Sequence, residues 1–384
     1  MTSPAMDLEL NETQQLIADS ARDFAARVVA PRAAELDKTG AFPTETVRGL
    51  AEQGLLGVNL ASRWGGAEAG VVSYALAMTE IAKACASTAV TMAVTNMVGE
   101  VVQAFGSEAQ REEHLPKLTG GEYLTGAFAL SEPGAGSDAA ALTTVAKKTD
   151  DGWVIDGQKQ WITNGGYAGL FVVWARTGGP GAKGISTFLV KKGTPGLTIG
   201  RPENKHGLRG SNTVPLTFDE CRVPQSALLG EEGMGFRVAM MALDGGRIGI
   251  SAQAIGIGTA ALEAAVAYAK DRQAFGRPIA EFQAIQWMLA DSRTELEAAR
   301  LLCLRAATLK ERGAAFTREA SISKLFSSEA ANRVCNRAVQ IHGGYGYTRE
   351  FPVERYLRDV RITTIYEGTS EIQRHVIARN LLTA

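Results

Sequence analysis

The sequence predicts an α+β protein in three parts: an N-terminal helical domain over 1–120, a middle antiparallel β domain over 121–232 and a C-terminal four-helix bundle over 233–384. Three observations predict this. Apolar residues recur at helical spacing in the first and last thirds. Short apolar runs between glycine-rich turns fill the middle. The length of 384 residues, at roughly 100–200 residues per domain, suggests two or three domains.

Asn11 and Gln14 have the spacing of a capping box. Ile17, Ala21, Phe24 and Val28 then fall on one helix face, and Pro31 is expected to end that helix. Further helices are expected over 44–53, 71–86 and 89–105. The Ala- and Met-rich stretch after Thr88 is apolar nearly all round, which predicts a buried helix. Near Gly120 the pattern changes. Residues 153–155, then Asp156-Gly157, then 158–162 read as a β-hairpin with an Asp-Gly turn. Runs at 170–175, 187–191 and 213–218 complete an antiparallel sheet or small barrel. Helical stretches return over 247–270, 282–312 and 317–343, with a last one after Thr369. Long helices joined by short connections suggest a bundle.

With 45% hydrophobic and 21% charged residues, the chain can bury a sizeable core. Its net charge of −1 gives no global basic field for nucleic acid or an anionic membrane. Cys85, Cys221, Cys303 and Cys335 are scattered without a CxxC pair, and residues 1–10 look like neither a signal nor a transit peptide. No uncharged apolar run reaches bilayer length. A reduced, cytoplasmic protein is expected. His114, His206, His342 and His375 lack metal-ligand spacing, so no metal is expected.

Five segments have the composition of binding or catalytic elements. In Leu130-Ser-Glu-Pro-Gly-Ala-Gly-Ser137-Asp138, the proline and two glycines disfavour helix and strand. Bare backbone N–H groups and the Ser131 and Ser137 hydroxyls suit a polar ligand; an ordinary tight loop fits equally well. Trp161-Ile162-Thr163-Asn164 sets an aromatic beside a hydroxyl, suited to stacking on a ring, although a core tryptophan is the better reading in isolation. Arg272, Phe275, Gly276 and Gln283 offer a guanidinium fork for a pyrophosphate, against a surface arginine with a core phenylalanine. Gln340-Ile-His342-Gly343-Gly344 is a glycine-rich helix end where a dinucleotide can lie, and a helix C-cap explains part of it. Finally, Glu367 stands between Ile365-Tyr366 and Gly368-Thr369. Desolvation there would raise its pKa towards that of a general base. A helix-N-terminal glutamate favoured by the dipole fits as well.

Taken in this order, the five segments resemble the acyl-CoA dehydrogenase family over nearly the whole chain, from the Asn11 helix to Ala378. The resemblance implies the helical, β and bundle domains read above, and noncovalent FAD. By matching position, Phe128, Ala129, Leu130 and Ser131 with Gly136, Ser137, Trp161, Ile162 and Thr163 would hold the isoalloxazine side. Arg272, Phe275, Gln283, Gln340, His342, Gly343 and Gly344 would hold the adenine and diphosphate, reaching from a neighbouring subunit. Thr369 and Glu371 would also touch FAD. Ser137, Asp244, Arg247 and Gly368 would face the acyl-CoA, and Glu367 matches the family's catalytic base.

One subgroup of that family takes its base from another helix, at the position held here by Gly246, which cannot act as a base. Leu243-Asp-Gly-Gly-Arg247-Ile-Gly-Ile250 and Ala84-Cys85-Ala-Ser-Thr88 are most similar to the short-chain members. The resemblance therefore implies α,β-dehydrogenation of a short or small branched acyl-CoA to the trans-2-enoyl-CoA. It further implies electron transfer to an electron-transfer flavoprotein and a homotetramer built as a dimer of dimers. Monooxygenase-like relatives generally lack the glutamate, and an oxidase would reveal itself by peroxide.

Overall fold

The computed structural model describes residues 9–383. Helix α1 (Glu12–Phe24) opens on the expected capping box: the Gln14 N–H donates to Asn11 Oδ1 at 2.9 Å and the Asn11 N–H to Gln14 Oε1 at 3.1 Å. Pro31 does not end the helical run. A π-helical turn (Ala25–Val29) leads into α2 (Ala30–Thr39), with Pro31 in its first turn. A first-turn proline lacks only an N–H that would have had no partner, so it starts a helix there. The run stops instead at Gly40, whose φ of 70° is left-handed.

Helices α3 (Thr44–Glu52), α4 (Gly70–Ala84), α5 (Ala86–Phe105) and α6 (Glu108–Thr119) follow. The all-round apolar α5 is buried along most of its length.

The sheet contains β1 (Thr125–Ala129), β2 (Val145–Thr149), β3 (Gly152–Thr163), β4 (Ala168–Arg176), β5 (Ile185–Lys191), β6 (Leu197–Ile199), β7 (Thr213–Pro224) and β8 (Leu228–Leu229). Its order is β6-β7-β3-β2-β4-β5-β8, with β1 beside β4. Most pairs are antiparallel, but β1 runs parallel to β4 and β2 meets β4 in parallel, so the sheet is mixed.

Asp156-Gly157 is not a hairpin turn. It lies inside β3 as a bulge, where the register against β7 shifts between Ile155 and Gly157. Gly157 has φ 146°, and a Cβ there would stand 2.7 Å from Thr144 Cα. Asp156 Oδ1 accepts the Glu220 N–H at 2.7 Å. Pairing with β2 on one edge and β7 on the other overrides the local turn signal. The hairpin falls at 150–151 instead, between β2 and β3.

Helix α7 (Gly235–Asp271) runs unbroken for 37 residues. A short hairpin, β9 (Gln273–Ala274) and β10 (Arg277–Pro278), links it to α8 (Gln283–Glu311), followed by α9 (Thr317–His342), α10 (Val353–Val360) and α11 (Ser370–Thr383). By length and composition α7 could cross a bilayer, but 72% of its apolar window is buried inside the fold. Ile248, Ala252 and Ile255 of α7 share one core with α1, α4 and α8. Val238, Ala239 and Ala242, nearer its start, share another with α5, α6, β4 and β5. Helix α7 thus joins the helical and sheet parts and fixes the relation between residues drawn from both.

Candidate active site

After α10, a 3-10 turn (Arg361–Thr364) brings the chain to Glu367. Glu367 and Gly368 are successive left-handed residues, with φ of 51° and 91°. Thr369 then caps α11, its Oγ1 accepting the Ile372 N–H at 3.3 Å. Glu367 therefore precedes the cap rather than sitting in the first helical turn. Its side chain is turned onto α7. A Cβ built on Gly246 would lie 2.0 Å from Glu367 Oε2 and 3.2 Å from Met97 Sδ. The missing side chain at Gly246 makes room for the carboxylate.

Part of Glu367 reaches the surface, but its Oε2 is buried and has no hydrogen-bond partner. Burial pushes the carboxyl up to about 7, against the Lys324 ammonium and the Arg247 guanidinium, which favour the charged form. A carboxyl that titrates near neutrality and keeps its lone pairs free is suited to taking a proton.

Arg247 stands one position after Gly246 and is buried. Its Nη1 donates to Asp244 Oδ1 at 2.6 Å and to Ser321 Oγ at 3.1 Å. Thr317 Oγ1 donates to the other Asp244 oxygen at 2.5 Å. Arg247 Nε is buried without a partner. The structure thus brings Asp244, Arg247, Gly368 and Glu367 together where α7, α9 and the start of α11 meet. Ser137 is exposed on the 130–138 loop, and among the described residues no hydrogen bond joins it to this group.

Trp161 is not a core residue. It is 61% exposed, with φ 63°, where the register of β3 on β7 shifts between Lys159 and Ile162. The bulge holds an aromatic face outward while Ile162 is buried beside it. Phe128 and Ala129 end β1, and the Ser131 carbonyl accepts the Gln160 N–H at 2.9 Å, tying Leu130-Ser131 to the Trp161 strand.

Sequence reasoning missed what anchors this arrangement. Glu132 and Lys159 form a fully enclosed ion pair at 2.8 Å, and Lys159 Nζ also donates to the Leu130 carbonyl at 3.2 Å. Burial opposes the Glu132 charge, but Lys159 and donors from Thr143 and Thr144 outweigh it and hold the carboxyl at about 2. Asn164, visible in the sequence only as a member of its motif, is buried with φ 67°. It donates to the Gly126 carbonyl at 3.0 Å, joining β3 to β1.

Arg272 lies over the Tyr345 ring beside a cavity of about 440 Å³ lined also by Tyr268, His342, Gly343 and Gly344. The His342 ring is committed to packing: it stacks on Tyr268 at 4.2 Å, and its Nδ1 is 2.8 Å from the Ala338 carbonyl. Gln340 is exposed at the end of α9 and Gln283 at the start of α8. Phe275 is 96% exposed, at the tip of the β9–β10 hairpin, where it and Gly276 both have positive φ. Thr163 is half-buried and Glu371 exposed.

The residues present fit a flavin dinucleotide. A Cβ at Gly134, Gly136 or Gly344 would meet no atom within 4 Å, so packing within the chain does not explain these glycines, whereas Gly343, with φ 59°, caps α9. The first three leave backbone bare for a ligand. Trp161 and Thr163 provide a stacking face and a hydroxyl, and Arg272 a cation.

Three family models match the chain in sequence: acyl-CoA dehydrogenase N-terminal domain over 11–122, middle domain over 127–221 and C-terminal domain over 233–382. The chain belongs to the acyl-CoA dehydrogenase family. It is 50% identical over 378 residues to the mitochondrial short-chain specific acyl-CoA dehydrogenase of Rattus norvegicus, covering 98% of this chain and 91% of that protein. Among solved structures it is similar to butyryl-CoA dehydrogenase from Megasphaera elsdenii, with a TM-score of 0.96, 44% identity and coverage of 98% and 100%. It is also similar to a chain in the solved structures of the electron transferring flavoprotein of Acidaminococcus fermentans, with a TM-score of 0.97, 43% identity and coverage of 99% and 100%. Members of the acyl-CoA dehydrogenase family are oxidoreductases that use FAD.

Proposed function

We propose that this acyl-CoA dehydrogenase oxidises a short or small branched acyl-CoA to the trans-2-enoyl-CoA, with Glu367 as the base. The observation that carries the reading is the Glu367 carboxylate: buried at Oε2, free of hydrogen bonds, raised to about 7 and set against a glycine on α7. Its free oxygen takes the proton from the substrate α-carbon, and the raised carboxyl pKa narrows the gap to that weakly acidic carbon. Among the described residues nothing accepts the Glu367 N–H, which leaves it able to donate to the thioester carbonyl as negative charge builds there. Arg247, paired to Asp244 with its Nε unpartnered, faces the acyl-CoA beside Gly368.

FAD, when bound, supplies the hydride acceptor for the β-carbon. Phe128 to Ser131, Gly136, Ser137 and Trp161 to Thr163 would hold its ring side, with Thr369 and Glu371. Arg272, Phe275, Gln283, Gln340 and His342 to Gly344 would hold the adenine and diphosphate side from a neighbouring subunit. The exposed Phe275, Trp287 and Tyr347 support a partner covering that end. The assembly proposed is a homotetramer, of chains divided at 1–120, 121–232 and 233–384. Electrons pass to an electron-transfer flavoprotein, as the likeness to the Acidaminococcus chain supports.

The short-chain assignment rests on the likeness to the rat and Megasphaera enzymes. It is tested by steady-state kinetics on acyl-CoAs from butyryl to palmitoyl, straight and branched. The highest kcat/KM should fall at butyryl-CoA or a small branched thioester. One methylene is worth only ~1–3 kcal/mol of discrimination, so activity should extend to hexanoyl-CoA. An optimum at lauroyl-CoA or longer would overturn the short-chain assignment.

A further inference from the structure

Lys324 has no part in the chemistry above, yet it is wholly enclosed. It projects from α9 with none of its surface exposed. A buried ammonium ordinarily has a carboxylate beside it. Among the described residues Lys324 forms no ion pair; its Nζ donates to a neutral acceptor, the Gly368 carbonyl, at 2.7 Å.

That carbonyl belongs to the residue after the base. Glu367 is in a left-handed conformation that a glutamate keeps only where its surroundings hold it. The same Gly368 carbonyl accepts Gln373 Nε2 at 2.9 Å, and Gln373 Nε2 also reaches the Glu367 carbonyl at 3.3 Å. Two helices, α9 and α11, therefore grip one short turn. Gln373 contributes a neutral grip and Lys324 a charged one.

We propose that Lys324 is a positioning residue for the dehydrogenation: it clamps the Glu367–Gly368 turn through the Gly368 carbonyl and sets an unpaired buried cation against the Glu367 carboxylate. The inference rests on Glu367 being the base.

The charges around the site leave this role to Lys324. From α7, Arg247 also faces Glu367, but Asp244 already compensates it. From α4, Tyr74 is buried beside Glu367, and Tyr366 adjoins it in sequence; burial pushes both phenols far up, so they stay neutral. Glu329 and Glu371 act on Lys324 more weakly than Glu367 does. Burial pulls Lys324 down to about 8, which leaves it mostly charged at neutral pH. Of the charges that favour the Glu367 carboxylate, Lys324 comes first.

The test uses the FAD-loaded enzyme and two variants. Lys324→Met removes charge and donor at similar length, while Lys324→Gln keeps a donor and removes only the charge. Flavin reduction by butyryl-CoA is followed anaerobically in single turnovers from pH 5.5 to 9. An opposite charge nearby shifts a carboxyl by about one to three units. The acid limb of both variants should therefore move up by at least about one pH unit. At pH 6.5 reduction should slow about tenfold or more, with the deficit shrinking towards pH 9. Lys324→Met should also lower the plateau, because the turn loses a clamp.

A merely structural lysine would lower the rate evenly across the range. An acid limb unmoved in the variants that bind FAD would overturn the proposal. Burying a cation without an ion-pair partner is costly, so its removal should leave the melting temperature unchanged or higher, and a large loss of folding in both variants would also count against the proposal. Glu367→Gln is run alongside. If that variant reduces its flavin at the wild-type rate, the base assignment itself fails. If it is inert while the Lys324 limbs stay put, only the role of Lys324 fails.

Discussion

Gly246→Ala adds one methyl group and should separate activity from stability. The new Cβ would lie 2.0 Å from Glu367 Oε2, whereas real Cβ atoms essentially never come within 3.0 Å of a neighbour. The carboxylate must therefore retreat by about 1 Å, and Met97, with Sδ at 3.2 Å, limits the other direction. A misplacement of about 1 Å at a reacting group costs on the order of 10²-fold in rate. Folding changes the opposite way: alanine in place of glycine inside a helix is favourable by ~0.5–1 kcal/mol, and the clash falls on the far end of a flexible side chain. The prediction is a protein with normal FAD content, an equal or higher melting temperature and flavin reduction by butyryl-CoA slowed about 100-fold. Stopped-flow absorbance and a thermal melt measure the two quantities. Wild-type reduction in a fully folded variant would refute the packing of Glu367 against Gly246.

Three other outcomes are expected. Because burial holds Glu367 at about 7, kcat/KM should fall as pH drops through 7, about tenfold per unit well below it, as the base takes up a proton; a flat profile from pH 5.5 to 8 would contradict this. A raised carboxyl binds its proton more tightly when folded, so the stability it contributes is present below its ordinary value of 4.5 and lost as pH rises through 7. Glu367→Gln should thus be more stable than wild type at pH 8, by roughly 1–3 kcal/mol, with the gap closing towards pH 5 in denaturant titrations. Glu132→Ala leaves Lys159 buried without its partner and should cost about 3–5 kcal/mol, with weaker FAD retention because Leu130-Ser131 hangs on that pair; unchanged melting and FAD content would show that the pair anchors nothing.

What the sequence made legible depended on whether a signal is local. Helix α5 could be read because its apolar residues surround it, and the Asn11 cap because both partners lie within one turn. Glu367 stood out only through the ordered set of motifs, since an isolated glutamate before a glycine reads equally well as a helix-dipole residue. Trp161 and Phe275 taken alone look like core residues. Both are held outward by left-handed backbone, at a bulge and at a two-residue turn, and such backbone follows from strand register rather than from side-chain type. Register also turned Asp156-Gly157 from a turn into a bulge, and the π-helical turn let Pro31 begin a helix. Lys159 and Lys324 could not be picked out, because a lysine on a strand or helix looks solvated until the fold encloses it. Gly246 could be compared with the base position of other family members, but its closeness to the Glu367 carboxylate is visible only in three dimensions.

The structure also sets the form of a relocation experiment. A glutamate introduced at Gly246 in the Glu367→Gln variant would collide with the new amide, since that site has no room for two side chains. The pair Gly246→Glu with Glu367→Gly clears the space, and glycine suits the φ of 51° at 367.

The most direct test of the central claim is one anaerobic turnover of Glu367→Gln with butyryl-CoA. The variant keeps the volume of the side chain, and Trp161, Arg272 and the glycine backbone are untouched. It should purify yellow and bind the thioester. A general base contributes ~10²–10⁴-fold, and Gly246 offers no substitute. The flavin band should therefore remain unbleached for at least about 100 times longer than in wild type. Bleaching at near the wild-type rate would mean that the proton goes to another group.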